Sequence, residues 1–181
     1  HTDVLEAWDK QKTLHDGRYD LIANLPYYIA TNIILRAFED SACENIIVMV
    51  QKEVAEKFTA RVKEKEYSSL GIITELISID SRILFDVPPE SFDPPPKIMS
   101  SILFIKKDMD KVLDKDFNKF LKACFVQPRK KLSKNLTSVL SKEAISEIYK
   151  ELNIDDNVRP HEVSSSLYSQ MHTRVKDGRN K

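Results

Sequence analysis

Three consecutive prolines, Pro94-Pro95-Pro96, constrain this chain more than any other feature of its 181 residues. Each fixes its own φ and lacks a backbone N–H, so the stretch can neither continue a helix nor sit inside a sheet ladder. Phe92-Asp93-Pro94-Pro95-Pro96-Lys97 is therefore expected to be an extended loop. It separates two β-like runs, residues 82–87 and 99–105, with no helical pattern between them. Parallel strands need a long crossover, so these two are predicted to pair antiparallel, at a sheet edge.

Upstream the pattern is different. Residues 19–23 and 45–50 are short apolar runs of the kind that forms buried parallel strands. Each is followed by a helical stripe. Thr31 is expected to N-cap the first, which carries Ile33, Ile34, Ala37 and Phe38 on one face. Val54, Ala55, Phe58 and Val62 mark the second. Strand, helix, strand, helix predicts a parallel sheet with right-handed crossovers. Residues 63–67 read as a charged loop and 71–77 as a helix. Residues 1–5 read as the tail of a strand already in progress.

From about Asp110 the character changes. Phe117, Phe120, Leu121, Cys124 and Phe125 recur at helical spacing, as do Leu132, Leu136, Val139 and Leu140. Ile145, Ile148, Tyr149 and Leu152 mark a third helix; Val163, Leu167 and Met171 mark a fourth. Residues 176–181 read as a frayed tail. The boundary is drawn at 109/110, giving an α/β part over 1–109 and a small all-α domain over 110–181. Charge divides similarly. Residues 1–110 carry 13 basic and 19 acidic side chains, a net of −6, whereas residues 111–181 carry 15 and 9, a net of +6. Such asymmetry points to an anionic partner for the second part.

The composition also narrows the function classes. Cys43 and Cys124 are far apart and without a CxxC partner, which fits a reducing, cytoplasmic setting and neither a disulfide framework nor a zinc site. The four histidines are scattered without metal-ligand spacing, so no metal is expected. No apolar run approaches the ~20 residues of a membrane span.

The chemistry is expected at Asn24-Leu25-Pro26-Tyr27, at the carboxyl end of the first parallel strand, where open α/β sheets place ligands. Pro26 pushes Leu25 into an extended conformation, which aims the Leu25 carbonyl outward as a fixed acceptor. The Asn24 side chain offers a second acceptor. Two converging acceptors suit an NH₂ group, and Tyr27 offers a face on which a base can stack, worth ~1–3 kcal/mol. These parts match methylation of an exocyclic amine by positioning and charge stabilisation.

Beyond these four residues, Gln51-Lys52-Glu53-Val54-Ala55, Val87-Pro88-Pro89, Phe92 through Ile98, Phe125 through Lys131 and Asn135-Leu136 stand in a familiar order. With them the chain resembles the small-subunit ribosomal RNA adenine dimethyltransferases of the KsgA type. The resemblance implies part of a Rossmann-like S-adenosylmethionine-dependent methyltransferase sheet, with its N-terminal strands absent, followed by the helical domain. It implies that Asn24 and Leu25 hold the target amine and that Tyr27 and Phe92 cover the two faces of the adenine, as expected of an enzyme that takes a base out of its stack. It places Asp3 and Val4, with Asn24, at the cofactor S-adenosylmethionine. The product would be dimethyladenine in a small-subunit rRNA hairpin, made on a pre-30S particle.

Lys119, Lys122, Arg129, Lys130, Lys131, Lys134 and Lys142 fall in a span, residues 117–142, that holds no acid. This is read as an RNA-binding surface, to which Lys97 adds a contact nearer the pocket. In one respect the chain departs from the resemblance. Gly17, Gly71 and Gly178 stand alone, and none can form a Gly-rich cofactor loop. The chain is therefore expected to be a fragment and to bind S-adenosylmethionine weakly or not at all. The rival readings are a non-catalytic rRNA-binding or ribosome-assembly factor, a large-subunit rRNA adenine methyltransferase and, more remotely, a DNA adenine methyltransferase.

Overall fold

The structure is a computed structural model and describes residues 3–179. It divides into two compact units. One comprises the chain through Thr59 together with Ile77–Leu113. The other comprises Ala60–Leu76 together with the chain from Asp114 onward. The stretch at 60–76, which the sequence reading assigned to the α/β part, thus packs with the helical unit.

The α/β unit is built on four strands, β1 (Tyr19–Asn24), β2 (Cys43–Gln51), β3 (Ser78–Val87) and β4 (Ser100–Lys107). Their order in the sheet is β1-β2-β4-β3. β1 and β2 are parallel, with Ile22 opposite Ile47 and Asn24 opposite Met49. β4 is antiparallel to both β2 and β3. The two strands flanking the proline segment therefore pair antiparallel, with β3 at the edge, as the absence of a crossover helix requires.

Alternation sets the buried face. Ile46, Val48 and Val50 on β2 and Leu103 and Ile105 on β4 are almost wholly inaccessible. They pack with α2 (Ala30–Glu39) and α3 (Lys52–Thr59), where Phe38 meets Phe58 edge-on at 6.1 Å. Thr31 is not the N-cap of α2. The helix starts two residues earlier than that cap would place it, at Ala30, with Ile29 at the cap and no side-chain cap bond. The Pro26 carbonyl takes the cap's place, accepting from Ile29 N at 3.1 Å and Ala30 N at 3.0 Å.

The expected strand tail at residues 1–5 is also corrected; His1 and Thr2 lie outside the described residues. Val4–Gln11 forms helix α1, and Asp3 is its N-cap. The Asp3 carboxylate accepts from Leu5 N at 2.8 Å and Glu6 N at 3.3 Å, satisfying two donors that a helix leaves unpaired. Glu6 in the first turn and Lys10 in the last complement the helix dipole.

A buried polar cluster lies under the far end of α2. Asp40 accepts from Trp8 Nε1 at 2.8 Å, Tyr19 Oη at 2.7 Å, Ala42 N at 2.8 Å and Leu14 N at 3.1 Å. Lys107, itself 1% exposed, donates to the Ala37 carbonyl at 2.8 Å and to the Asp40 carbonyl. Burial pushes the nearby Cys43 thiol up to about 11, so it is an inert packing residue.

The helical unit contains α4 (Ser69–Ile77, through Leu76), α5 (Lys115–Cys124), α6 (Leu132–Leu136), α7 (Lys142–Glu151) and α8 (Ser165–Arg179). Phe117, Phe120, Leu121 and Cys124 form the buried stripe of α5, as their spacing predicts. α6 is shorter than its stripe suggests, and Val139 and Leu140 lie in turns beyond it. The expected fraying from residue 176 does not occur through residue 179. Val175 is buried, and Lys176 Nζ donates to Asp114 Oδ2 at 2.5 Å, tying α8 to the N-cap of α5. No described helix is long and apolar enough to cross a membrane.

Candidate functional site

The site is built at the join between β1 and α2. Leu25 N donates to the Met49 carbonyl at 3.2 Å, continuing the ladder one residue past β1. The Pro26 carbonyl is engaged in starting α2, and proline has no N–H to offer. Between them stands the Leu25 carbonyl, which accepts from no described residue. The Asn24 side chain is exposed and likewise bonds to no described residue. Two acceptors are thus left open on adjacent residues, while the backbone on either side is fixed.

Tyr27 is half-buried, and its hydroxyl shares a hydrogen bond of 2.7 Å with the fully buried Ser100 Oγ. That bond fixes the ring at its far end and leaves the face free. Phe92 is presented by a short 3-10 turn over Pro89–Ser91, with its N–H on the Pro89 carbonyl at 3.1 Å. Asn24, Leu25, Pro26, Tyr27, Phe92 and Pro96 line one open cleft of about 300 Å³. The structure therefore brings together the tetrapeptide and the distant aromatic that sequence reading paired with it.

The loop that carries Phe92 is tied at its base. Val87 pairs with Ser100 and Asp86 with Ser101 in the sheet. Asp86 accepts from Lys52 Nζ at 2.6 Å and Ser101 Oγ at 2.7 Å, and these two bonds hold its carboxyl below the usual range. Lys52 N also donates to the Met99 carbonyl at 3.0 Å. Sequence reasoning missed Ser100 and Asp86. The available signal was a Ser-Ser pair opening an otherwise apolar strand.

Other expected site residues lie apart from this cleft. Lys97 is exposed on the same loop but does not line the cleft. Both capping bonds to Asp3 land on Oδ1, so among the described residues its Oδ2 has no partner. Val4 is the first residue of α1.

In the helical unit Lys122, Arg129, Lys130 and Lys134 are exposed and ion-paired with no described residue. Lys119 is different: it meets Asp116 at 3.5 Å one turn back on α5, which reduces its part in a free basic surface. Lys131 Nζ bonds to the neutral Asn157 Oδ1 at 2.6 Å. The basic loop has a clamp. Asn135 accepts from Gln127 N at 2.8 Å and donates to the carbonyls of Gln127 at 3.1 Å and Lys131 at 3.2 Å. One buried amide thus spans Gln127 to Lys131 and fixes the backbone that displays Arg129 and Lys130. No cluster of three or more acidic, histidine or cysteine side chains suited to a metal occurs among the described residues.

The family model for ribosomal RNA adenine dimethylase matches residues 1–177. The chain belongs to that family. It is 83% identical over 181 residues to the ribosomal RNA small subunit methyltransferase A of Aliarcobacter butzleri, covering all of this chain and 68% of that protein. It is 49% identical over 170 residues to the protein of the same name from Sulfurimonas denitrificans, covering 94% of this chain and 62% of that one. The chain thus spans about two thirds of the length of these relatives. Among solved structures, a dimethyladenosine transferase from Plasmodium falciparum superposes with a TM-score of 0.77 at 21% identity, over 92% of this chain and 70% of that one. A 23S rRNA methyltransferase, ErmE, gives 0.62 at 16%, over 90% and 67%. At these identities the two structures establish the shared Rossmann-like fold. Asn24 through Tyr27, together with Phe92 and Pro96, line the cleft at the carboxyl end of β1.

Proposed function

We propose that this chain carries the adenine-binding and RNA-binding parts of an S-adenosylmethionine-dependent dimethyltransferase acting on small-subunit rRNA. The observation that carries the reading is the pair of open acceptors, Leu25 O and Asn24 Oδ1, in a cleft walled by Tyr27 and Phe92. An adenine amine has two N–H bonds and a lone pair delocalised into its ring. Acceptors that hold both hydrogens localise that lone pair on nitrogen and aim it out of the acceptors' plane. S-adenosylmethionine, when bound, supplies an electrophilic methyl group at that point. By the resemblance Asp3, Val4 and Asn24 would hold it; Asp3 keeps Oδ2 free of described partners, and Asn24 keeps its whole side chain free.

Tyr27 and Phe92 replace the stacking that the base loses on leaving its helix. Bound S-adenosylmethionine would supply one methyl group per transfer and be left as a neutral thioether, while the amine nitrogen held by Leu25 and Asn24 would give up one proton to water. A methylated nitrogen that bears a positive charge is strongly acidic, so no general base is required. The monomethylated product keeps one N–H, and the second transfer therefore needs one acceptor where the first used two. Lys122, Arg129, Lys130, Lys131 and Lys134 supply phosphate contacts, to which Lys97 adds one, and Lys119 contributes less. A pre-30S particle as substrate and a cytoplasmic setting follow from this reading.

Asn24→Ala tests it. Transfer of labelled methyl to a small-subunit rRNA hairpin should fall on the order of 100-fold, as when one preorganised hydrogen-bonding group is removed from an active site. RNA binding should remain. Undiminished methylation would remove Asn24 from the mechanism. A full-length protein that binds both RNA and S-adenosylmethionine without methylating the RNA, with or without the substitution, would favour the assembly-factor reading.

A further inference from the structure

Gln51 is the last residue of β2, the strand that lies between β1 and β4. It pairs with Ser100 on β4. On its other side the β1 register, with Asn24 opposite Met49, is carried on by the bond from Leu25 N to the Met49 carbonyl. That brings Pro26 level with Gln51. Strand parity puts the Gln51 side chain on the face that carries Met49 and Asn24, opposite to the buried Val48 and Val50. Ser100, directly across the pair, points to the same face.

Two observations place Gln51 beneath the cleft. The Tyr27 hydroxyl meets Ser100 Oγ at 2.7 Å, so the tyrosine reaches from the end of β1 to β4 across the end of β2, where Gln51 stands. The lining of the cleft also comes from both flanks of β2. Asn24 through Tyr27 stand on the β1 side, and Phe92 and Pro96 come from the segment between β3 and β4. Gln51 is partly buried and is not itself one of the lining residues. Its neighbour Lys52 is tied to Asp86, whereas the Gln51 amide bonds to no described residue. It therefore keeps two N–H donors and an oxygen uncommitted, on a side chain with three rotatable bonds.

Leu25 O and Asn24 Oδ1 account for the two amine hydrogens of an adenine. They leave its N1 and N7 unmatched, and both of these flank the amine as acceptors. Stacking between Tyr27 and Phe92 does not supply the missing donor, because every base has a π-face. We propose that Gln51 is a further base-binding residue, whose amide N–H donates to the ring nitrogen flanking the amine on the β2 side. That bond fixes the rotation of the base in its own plane, which stacking leaves free. It also restricts the cleft to an amine with an acceptor beside it. Gln51 exchanges no proton in this role. The inference rests on the reading of the cleft as an adenine site.

The test is a cycle between protein and substrate, read as methyl transfer by the full-length protein to a small-subunit rRNA hairpin. The target adenine is kept, or replaced by 1-deazaadenine or 7-deazaadenine, each of which lacks one of the two ring nitrogens. Gln51→Ala should lower kcat/KM about fivefold on adenine, as for one neutral hydrogen bond. It should do the same on one analogue and have no effect on the other, which has no acceptor for the amide to lose. Gln51→Glu, of equal length but without the donor, should show the same pattern, which separates the lost donor from lost packing. Each analogue's effect on amine reactivity is common to parent and variant and cancels in the cycle. A residue that only packs would give the same loss on all three substrates. That result, or no loss on adenine, would overturn the proposal and leave the adenine reading of the cleft standing. A parent that methylates none of the three hairpins while binding both RNA and S-adenosylmethionine would overturn both.

Discussion

The hydrogen bond between Tyr27 and Ser100 is a sharp point at which to test how the cleft is held. The two ends of this bond are unequal. Ser100 is fully buried, whereas Tyr27 is half-buried beside an open cleft. Tyr27→Phe keeps the ring but leaves the Ser100 hydroxyl enclosed without its partner, at a cost of about 1–3 kcal/mol. Ser100→Ala removes the enclosed group instead, and the Tyr27 hydroxyl can turn to water, so the loss should be about 0.5–1.5 kcal/mol. The double variant has no unsatisfied group and should cost little more than Ser100→Ala alone. The two substitutions are therefore expected to be sub-additive by at least about 1 kcal/mol. Urea unfolding of the four proteins measures the cycle. Methyl transfer should fall several-fold in both single variants, because a ring freed at its tip stacks with less defined orientation. Strict additivity, or a Tyr27→Phe variant as stable as the parent, would show that the bond does not position the ring.

Two further perturbations probe other parts of the molecule. Replacing Arg129, Lys130 and Lys131 together by Ala should weaken RNA binding and lower the slope of log K against log salt by about 2–3, since each phosphate contact contributes ~0.7–0.9; an unchanged slope would take this loop out of the interface. Asp40 should give the fold its acid sensitivity. Burial alone would raise its pKa, but the bonds from Trp8, Tyr19, Ala42 and Leu14 outweigh burial and hold it below the ordinary value. A depressed folded pKa contributes stability that is complete above about pH 4 and is lost as pH falls through the folded value. Acid unfolding followed by Trp8 fluorescence should therefore lose part of its steepness below about pH 4 in Asp40→Asn. A variant with the parent's acid profile would refute this assignment.

Much of this was legible from the chain alone, for reasons that differ by residue. Pro94–Pro96 forced an antiparallel return, and β3 and β4 make it. The tetrapeptide was legible because proline restricts the backbone on both sides of the Leu25 carbonyl, so an outward carbonyl was expected from covalent geometry. Tyr27 and Phe92 were paired by resemblance to a family, since no local rule connects residues that far apart. What failed was local competition at element ends. Asp3 drew residues 4–11 into a helix by capping it, where the apolar Val4 and Leu5 had suggested a strand. Thr31 looked like a cap but stands inside a helix whose first turn is closed by the Pro26 carbonyl. The tail at 176 looked too charged to be ordered, but Lys176 had Asp114 as a partner that only the fold supplies.

The deepest omission was Lys107, and the sequence did hold its signal. Lys106-Lys107 looks like a solvated strand end. Strand parity says otherwise: Leu103, Ile105 and Lys107 share one face of β4, and the first two are fully buried. A lysine placed there must find acceptors, and the last carbonyls of a helix are acceptors without intrahelical partners. Lys107 takes those of Ala37 and Asp40, at the end of α2. Burial lowers its pKa, which is the cost of placing a charge there. α2 is thereby held at both ends: by the Pro26 carbonyl where it starts and by a buried cation where it finishes. The open acceptors of Asn24 and Leu25 sit immediately before that helix. Their fixed position comes from its anchoring as much as from the tetrapeptide itself.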